Sequence, residues 1–416
     1  MFRSYLTFLQ ANPRYRSLWY GSIVSQFGDW FNLIASTSLI ALLTDAGTAI
    51  SYLFLARFLP LFLVSPFAGS LADRFDRRWL MIVSDLLRAV TVLGFLLVRD
   101  ASDIWLLYLL TVIQFSLSAL FNPARSALLA NVVKERDLVT ATALDGLTWS
   151  SMLALGALVG GVVANVFGLT AAFTIDALTF LLSAWLISRI KVTSQVVSEG
   201  APAGLRSIWQ GLQYLVGVPA ILIIAMLKGA ASLAYGGLEV LNVPFAEDIF
   251  PLGEGATATL GVFYTVAGLG TGLGPLLMRR WLGDQPDRLL LGIKISFVMI
   301  VIGILAGAAA PTLWLFCLAL LIRTVGTGTI WVFSGSLLQI VAPDRFRGRV
   351  FAFDFAFLTL TQSISILWAG FALDNLSWSA AQTMTFIGAM SVLVFLIWTV
   401  AQARLSKIRA SSLTEG

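Results

Sequence analysis

Long apolar runs, broken by short charged segments, recur from one end of this 416-residue chain to the other. A run of about 20 residues has the length an α-helix needs to cross a bilayer. Twelve such spans are predicted: 17–43, 48–70, 79–98, 104–124, 142–166 and 169–190, then 219–243, 254–277, 288–309, 312–340, 350–373 and 378–403. The fold class is therefore an all-α polytopic membrane protein. Between the sixth and seventh spans, Lys191–Gly204 is rich in Ser, Thr, Gly and Val and reads as a linker. After it, Leu205, Ile208, Trp209, Leu212, Leu215 and Val216 recur at helical spacing, with Arg206, Gln210 and Gln213 opposite them. That pattern predicts an amphipathic helix lying in a membrane interface.

The two groups of six spans repeat one another weakly. Ser126-Ala-Leu-Leu followed by Lys134-Glu-Arg136 precedes Ser336-Leu-Leu-Gln followed by Asp344-Arg345 by 210 residues, and Gly69 precedes Gly274 by 205. A constant offset of about 200 residues implies a duplicated six-helix unit. The predicted organisation is an N-terminal half over 1–190, a linker with its amphipathic helix over 191–217, and a C-terminal half over 218–416.

Composition agrees. The chain is 58% hydrophobic and 12% charged, with a mean hydropathy of +0.88, against roughly 25% charged residues in soluble domains. The net charge of +5 is spread over short loops, so no nucleic-acid partner is expected. Seven segments carry three basic residues each: Arg3, Arg14 and Arg16; Arg74, Arg77 and Arg78; Arg125, Lys134 and Arg136; Arg189, Lys191 and Arg206; Arg279, Arg280 and Arg288; Arg345, Arg347 and Arg349; Arg404, Lys407 and Arg409. All fall on one side of the predicted spans and only Arg99 on the other, which places both termini in the cytoplasm. Met1–Tyr20 has no apolar core with a cleavage site, so no removable signal peptide is read. There is no histidine, and the single cysteine, Cys317, lies in an apolar run. Proton chemistry then falls to carboxylates, and no metal or other cofactor is expected. No phosphate-binding loop or nucleophile–base pair supports an enzyme.

The turn after the second span reads Gly69-Ser-Leu-Ala-Asp73-Arg-Phe-Asp-Arg77-Arg78. With twelve spans and a central loop, it makes the chain resemble the major facilitator superfamily over essentially its whole length. Ser25-Gln-Phe-Gly-Asp29-Trp30, Asn122-Pro-Ala-Arg125-Ser-Ala and Gln339-x-x-x-Pro343-Asp-Arg-x-Arg347-Gly348-Arg349-Val350 look like its drug and siderophore exporter branch, which contains the enterobactin exporter and macrolide efflux pumps. The resemblance implies the major facilitator fold and a cytoplasmic gate at the turn, with Gly69, Asp73 and Arg77 in it. Two departures stand out: Asp76 where many relatives have glycine, and Met278 at the second-half counterpart of Asp73. The branch's fifth-span Gly-Pro-x-x-Gly-Gly is Gly156-Ala157-Leu-Val-Gly160-Gly161 here, keeping the helix-packing glycines and losing the proline.

An ionisable side chain inside a span is costly, so each is a functional candidate. Asp29 lies about 18 Å into the first span and Arg57 about 14 Å into the second, which brings both near mid-membrane. They are predicted as a pair coupling a proton to transport, since separating them lets Asp29 take up a proton. Asp85 and Arg88, three apart on the third span, share a helix face. They are assigned to the gate network, Asp85 being about 10 Å from the cytoplasmic end. Trp30, Lys228, Tyr235, Glu239, Arg323 and Trp331 are candidates for lining a substrate cavity, with Phe31 beside them. Asp176, Lys294 and Asp354 are placed within reach of an interface and read as structural.

These features predict a monomeric secondary transporter in the bacterial plasma membrane, surrounded by lipid. It would export amphiphilic small molecules such as drugs, macrolides or siderophores by proton antiport and alternating access. The competing readings are a lipid or lysolipid flippase and a non-transporting membrane sensor. The coupling ion stays open between a proton and sodium, because a carboxylate binds either.

Overall fold

The computed structural model describes residues 2–134, 137–190, 213–253, 255–283 and 285–414. In order these form α1 (Phe2–Ala11), α2 (Pro13–Leu43), α3 (Gly47–Arg74), α4 (Arg77–Gly94), α5 (Ile104–Val132), α6 (Leu138–Phe167), α7 (Leu169–Ser188), α8 (Pro219–Tyr235), α9 (Leu238–Pro244), α10 (Thr257–Leu282), α11 (Pro286–Ala308), α12 (Leu313–Val341), α13 (Asp344–Asp374) and α14 (Ala380–Thr414). Short 3-10 turns at Phe95–Leu97 and Ala101–Asp103 join α4 to α5. Among the described residues there is no strand.

Eleven stretches among the described residues are long and apolar enough to cross a membrane by length and composition, including Pro219–Ile249 as one span. The expected first span, α2, has the length at 31 residues but is not among the eleven. The reason is a polar stripe: Ser22, Ser25, Asn32, Ser36, Thr37 and Ser38 are all buried against protein, so the helix is polar where it touches its neighbours. Several of those hydroxyls donate to the carbonyl four residues back, as Ser22 does to Leu18 (3.0 Å) and Thr37 to Leu33 (2.7 Å). A hydroxyl satisfied in this way can be buried at membrane depth.

Several boundaries differ from the sequence pattern; α5 runs to Val132, eight residues past the predicted 124, and α14 to Thr414, eleven past 403. The chain opens with the additional helix α1, whose Phe8 and Leu9 are buried in a cluster with Tyr15, Leu18, Met81 and Ile187. Pro13 at the start of α2 separates the two helices. α13 begins at Asp344, six residues before the predicted 350, which sets its charged residues deeper in the helix. The seventh span breaks at Gly236-Gly237 and ends in a π-helical turn over Phe245–Ile249. The open backbone at the break is satisfied from α13: Gly237 N–H donates to Ser365 Oγ (2.9 Å) and Gln362 Nε2 to the Gly236 carbonyl (3.4 Å). The predicted interfacial helix falls mostly in 191–212, outside the described residues; 213–217 is helical.

The chain divides into two compact units, Met1–Leu205 with Asn242–Gly268, and Arg206–Leu241 with Leu269–Gly416. In the first, α2 lies against α6 and α7, α3 against α5, and α4 against α5 and α7. In the second, α11 lies against α12 and α14, and α8 against α13.

Candidate functional site

In the first unit the charged centre is built on α2, α3, α4 and α7. Asp85 and Arg88 of α4, fully buried, form an ion pair. The second Asp85 oxygen accepts from Ser183 Oγ of α7 (2.7 Å). Arg88 lies between the rings of Phe121 and Phe180, at 4.6 and 4.3 Å from their centroids, and donates to Ser118 Oγ (3.3 Å). Charge pairing, hydrogen bonds and two aromatic faces thus hold a pair that would be costly if left bare. The structure joins these two residues to α5 and α7.

Arg57 of α3, also buried, lies over the Phe115 ring (4.5 Å) and donates to Asn32 Oδ1 of α2 (3.4 Å). Asp29, one turn before Asn32, is partly exposed. Arg88 and Arg57 are the positive charges acting on it, and Asp85 opposes them. Asp176 completes the group. It is not at a wet interface, as its position near the start of α7 had implied, but has no exposed surface. The cause is contact from α2: a Cβ added to Gly28 would lie 2.5 Å from Asp176 Oδ1. Glycine is needed there so that the carboxylate can lie against the α2 backbone.

A second network, which the sequence reading missed, ties α2, α5 and α6. Arg125 pairs with Asp145 (2.8 Å) and its Nε donates to Ser22 Oγ (2.6 Å). Tyr15 Oη donates to Asp145 (3.1 Å). Trp19 Nε1 reaches Thr148 Oγ1 (2.8 Å) one helical turn further on. Arg125 was visible in Asn122-Pro-Ala-Arg125; the signal for Asp145 was an acid inside the fifth span, facing that arginine's helix. Nearby, Asp76 caps α4, its Oδ1 accepting from the N–H groups of Arg78 (2.9 Å) and Trp79 (3.2 Å). Arg77 is the first residue of α4, and Arg78 donates to the Ser188 carbonyl of α7. Gly69 and Asp73 fall in the last turns of α3; the surroundings of Gly69 and the side chain of Asp73 are outside the described part of the structure.

The glycines of α6 meet aromatic rings and backbone. A Cβ on Gly156 would lie 2.9 Å from Trp30 Cδ1, one on Gly160 3.2 Å from Phe31 Cδ2, and one on Gly161 2.9 Å from Gly261 Cα. Trp30 also lies near Trp149 and Tyr264, with centroids 6.3 and 6.0 Å apart. Phe31 is buried on Gly160 and so is a packing residue rather than a surface for substrate.

In the second unit, Lys228 Nζ of α8 pairs with Asp354 Oδ2 of α13 at 2.7 Å, both side chains buried. Asp354 is therefore covered by protein rather than open to water, ten residues after the start of α13. Lys228 lies over the ring of Trp331 (4.8 Å), a residue that is half exposed. Arg323 of α12 is buried where Gly303 of α11 approaches it closely, and its charge acts on Tyr235. Glu239, on α9, and Lys294, on α11, are partly exposed.

The sequence profile of the transmembrane secretion effector family matches residues 7–414. The uncharacterised MFS-type transporter YfiS of Bacillus subtilis is 29% identical over 342 residues, 79% of either chain. The putative bacilysin exporter BacE of the same organism is 24% identical over 356 residues, 85% of this chain and 87% of its own. Macrolide efflux protein A of Streptococcus pyogenes is 22% identical, covering 87% and 90%. Among solved structures, a mutant of the nucleoside transporter NupG superposes with a TM-score of 0.75 at 12% identity, over 93% of this chain and 99% of that one. An outward-facing bacterial homologue of ferroportin gives 0.68 at 15%, over 95% and 99%. The fold is that of these transporters, and the match to the profile spans nearly the whole sequence. The chain is thus a membrane transporter, not an enzyme, and belongs to the transmembrane secretion effector family of the major facilitator superfamily.

Proposed function

We propose that this transporter exports amphiphilic small molecules from a bacterial cell in exchange for protons, with Asp29 as the coupling carboxylate. The observation that carries the reading is the setting of Asp29. It is partly exposed at the middle of α2, beside two guanidinium groups, while its neighbour Asp85 is fully engaged by Arg88 and Ser183. A carboxylate so placed can exchange a proton with water while its countercharges stay behind in the protein. One proton moving inward supplies about 2.3 kcal/mol per 100 mV, enough for a modest uphill gradient of solute.

The exporter direction is supported by the putative bacilysin exporter and the macrolide efflux protein among the relatives. In this reading the basic loops and both termini face the cytoplasm across the plasma membrane, the protein acts as a monomer, and no cofactor beyond the coupling proton is needed. Gly69, Asp73 and Arg77 form the cytoplasmic gate. Trp30, Tyr235, Arg323 and Trp331 contribute to substrate binding as the access alternates. Asp354 already neutralises Lys228, which removes one of two buried cations in the second unit, Lys228 and Arg323, that a flippase would offer a lipid headgroup.

The test uses everted membrane vesicles acidified inside by respiration and followed with a fluorescent pH probe. Adding macrolides, dyes, siderophores or a small peptide antibiotic in turn is expected to release protons for at least one class, only when the transporter is present. Headgroup movement without proton release would favour the flippase, and neither response would favour a sensor.

A further inference from the structure

We propose that Asp176 is a second proton-binding carboxylate of this transporter, sharing one proton with Asp29. The inference rests on the proton-coupled reading above and adds a residue to it. Asp176 has no exposed surface, and neither of its oxygens accepts a well-formed hydrogen bond. The Asn32 amide of α2 faces it closely enough to favour the ionised form, but no well-formed hydrogen bond joins the two. An ionised carboxylate with so little hydrogen bonding inside a membrane protein is expensive, and binding a proton removes the cost.

The charges around it give the same count. The charged groups around it are Asp29 on α2 and Arg88 on α4, both helices packed against α7, together with Arg57 on α3 and Asp85, the ion-pair partner of Arg88. The acid of α6, Asp145, is held elsewhere by Arg125. On α7 itself, Thr179 Oγ1 donates to the Asp176 carbonyl and Ser183 to Asp85. Three carboxylates thus face two guanidinium groups, and a single proton makes the cluster neutral. Asp29 and Asp176 are the two that compete for it, because both Asp85 oxygens are already bonded. Two carboxylates in one low-dielectric site hold such a proton as a pair.

The two members differ in access. Asp29 is partly exposed, whereas Asp176 is sealed behind Gly28 and Thr179. Asp176 therefore keeps the proton while Asp29 is ionised, and gives it up as Asp29 becomes protonated. One O–H bond breaks, one forms, and the total charge of the cluster is unchanged.

Infrared difference spectroscopy between acid and alkaline pH on the purified full-length transporter in an ester-free detergent, without substrate, reads the carbonyl band that a protonated carboxylic acid gives and a carboxylate lacks. At neutral pH the parent protein is expected to show this band. Asp176→Asn should remove it, and Asp100→Asn, at an exposed acid, should leave it. Asp29→Asn removes the nearby like charge, so the band should then be lost at lower pH than in the parent. This second variant keeps Asp176 and its packing, so the result can be read even where Asp176→Asn does not insert. A parent protein without the band at neutral pH, a band that survives Asp176→Asn, or a titration indifferent to Asp29→Asn overturns the proposal. Uphill export by Asp29→Asn would refute coupling at Asp29 in a separate assay and leave the infrared result standing.

Discussion

Asp76 adds a second negative charge to a turn that already carries Asp73 and three arginines, and its use is local: it accepts two N–H groups at the start of α4. An N-cap aspartate contributes about 1 kcal/mol over alanine but only a few tenths over glycine. This accounts for glycine at the same place in the proteins it resembles. Asp76→Ala should lower the thermal stability of the detergent-solubilised protein by about 1 kcal/mol, with Asp76→Gly close to the parent. The Lys228–Asp354 pair has more at stake, since both groups are buried. Removing one partner strands the other, at about 3–5 kcal/mol, whereas replacing both with apolar residues is often close to neutral. Lys228→Met and Asp354→Leu should each unfold at lower temperature than the double variant, and additive losses would contradict the pairing. At this scale the Asp85–Arg88 pair was legible, because three residues along a helix fix the geometry. Asp176 and Asp354 were not: what covers them comes from α2 and α8, remote in sequence, and hydropathy along one helix carries no record of it.

At the scale of the element, α6 offers a graded series. A methyl group on Gly146 meets nothing within 4 Å, one on Gly160 meets the Phe31 ring at 3.2 Å and its Cα at 3.3 Å, contacts that a few tenths of an ångström relieve, and one on Gly161 meets the Gly261 backbone at 2.9 Å. Gly146→Ala should be neutral or stabilise by up to about 1 kcal/mol, as expected for an open helix interior. Gly160→Ala should cost little, and Gly161→Ala should impair both transport and stability, because backbone cannot rotate away. Equal behaviour of all three in a melting and transport series would refute the role of close packing. The spans themselves were readable because apolar length is a property of one segment. The polar stripe of α2, the break at Gly236-Gly237 and the early start of α13 were not, since each depends on a neighbour supplying hydrogen bonds or cover.

For the whole molecule, the twelve-span pattern carried the fold, and the short motifs carried the family, over almost all of the chain. The two remaining claims concern movement. If the turn after α3 is the gate, Asp73→Asn and Arg77→Ala should each slow transport while leaving insertion and orientation intact; parent-like rates in both would reduce the turn to a topological anchor. The coupling role of Asp29 is the central claim, and one comparison tests it most directly. Asp29→Asn should lose uphill, proton-driven export from energised vesicles while still exchanging labelled for unlabelled substrate across the membrane at a rate near the parent's. Undiminished uphill export by Asp29→Asn would contradict the account.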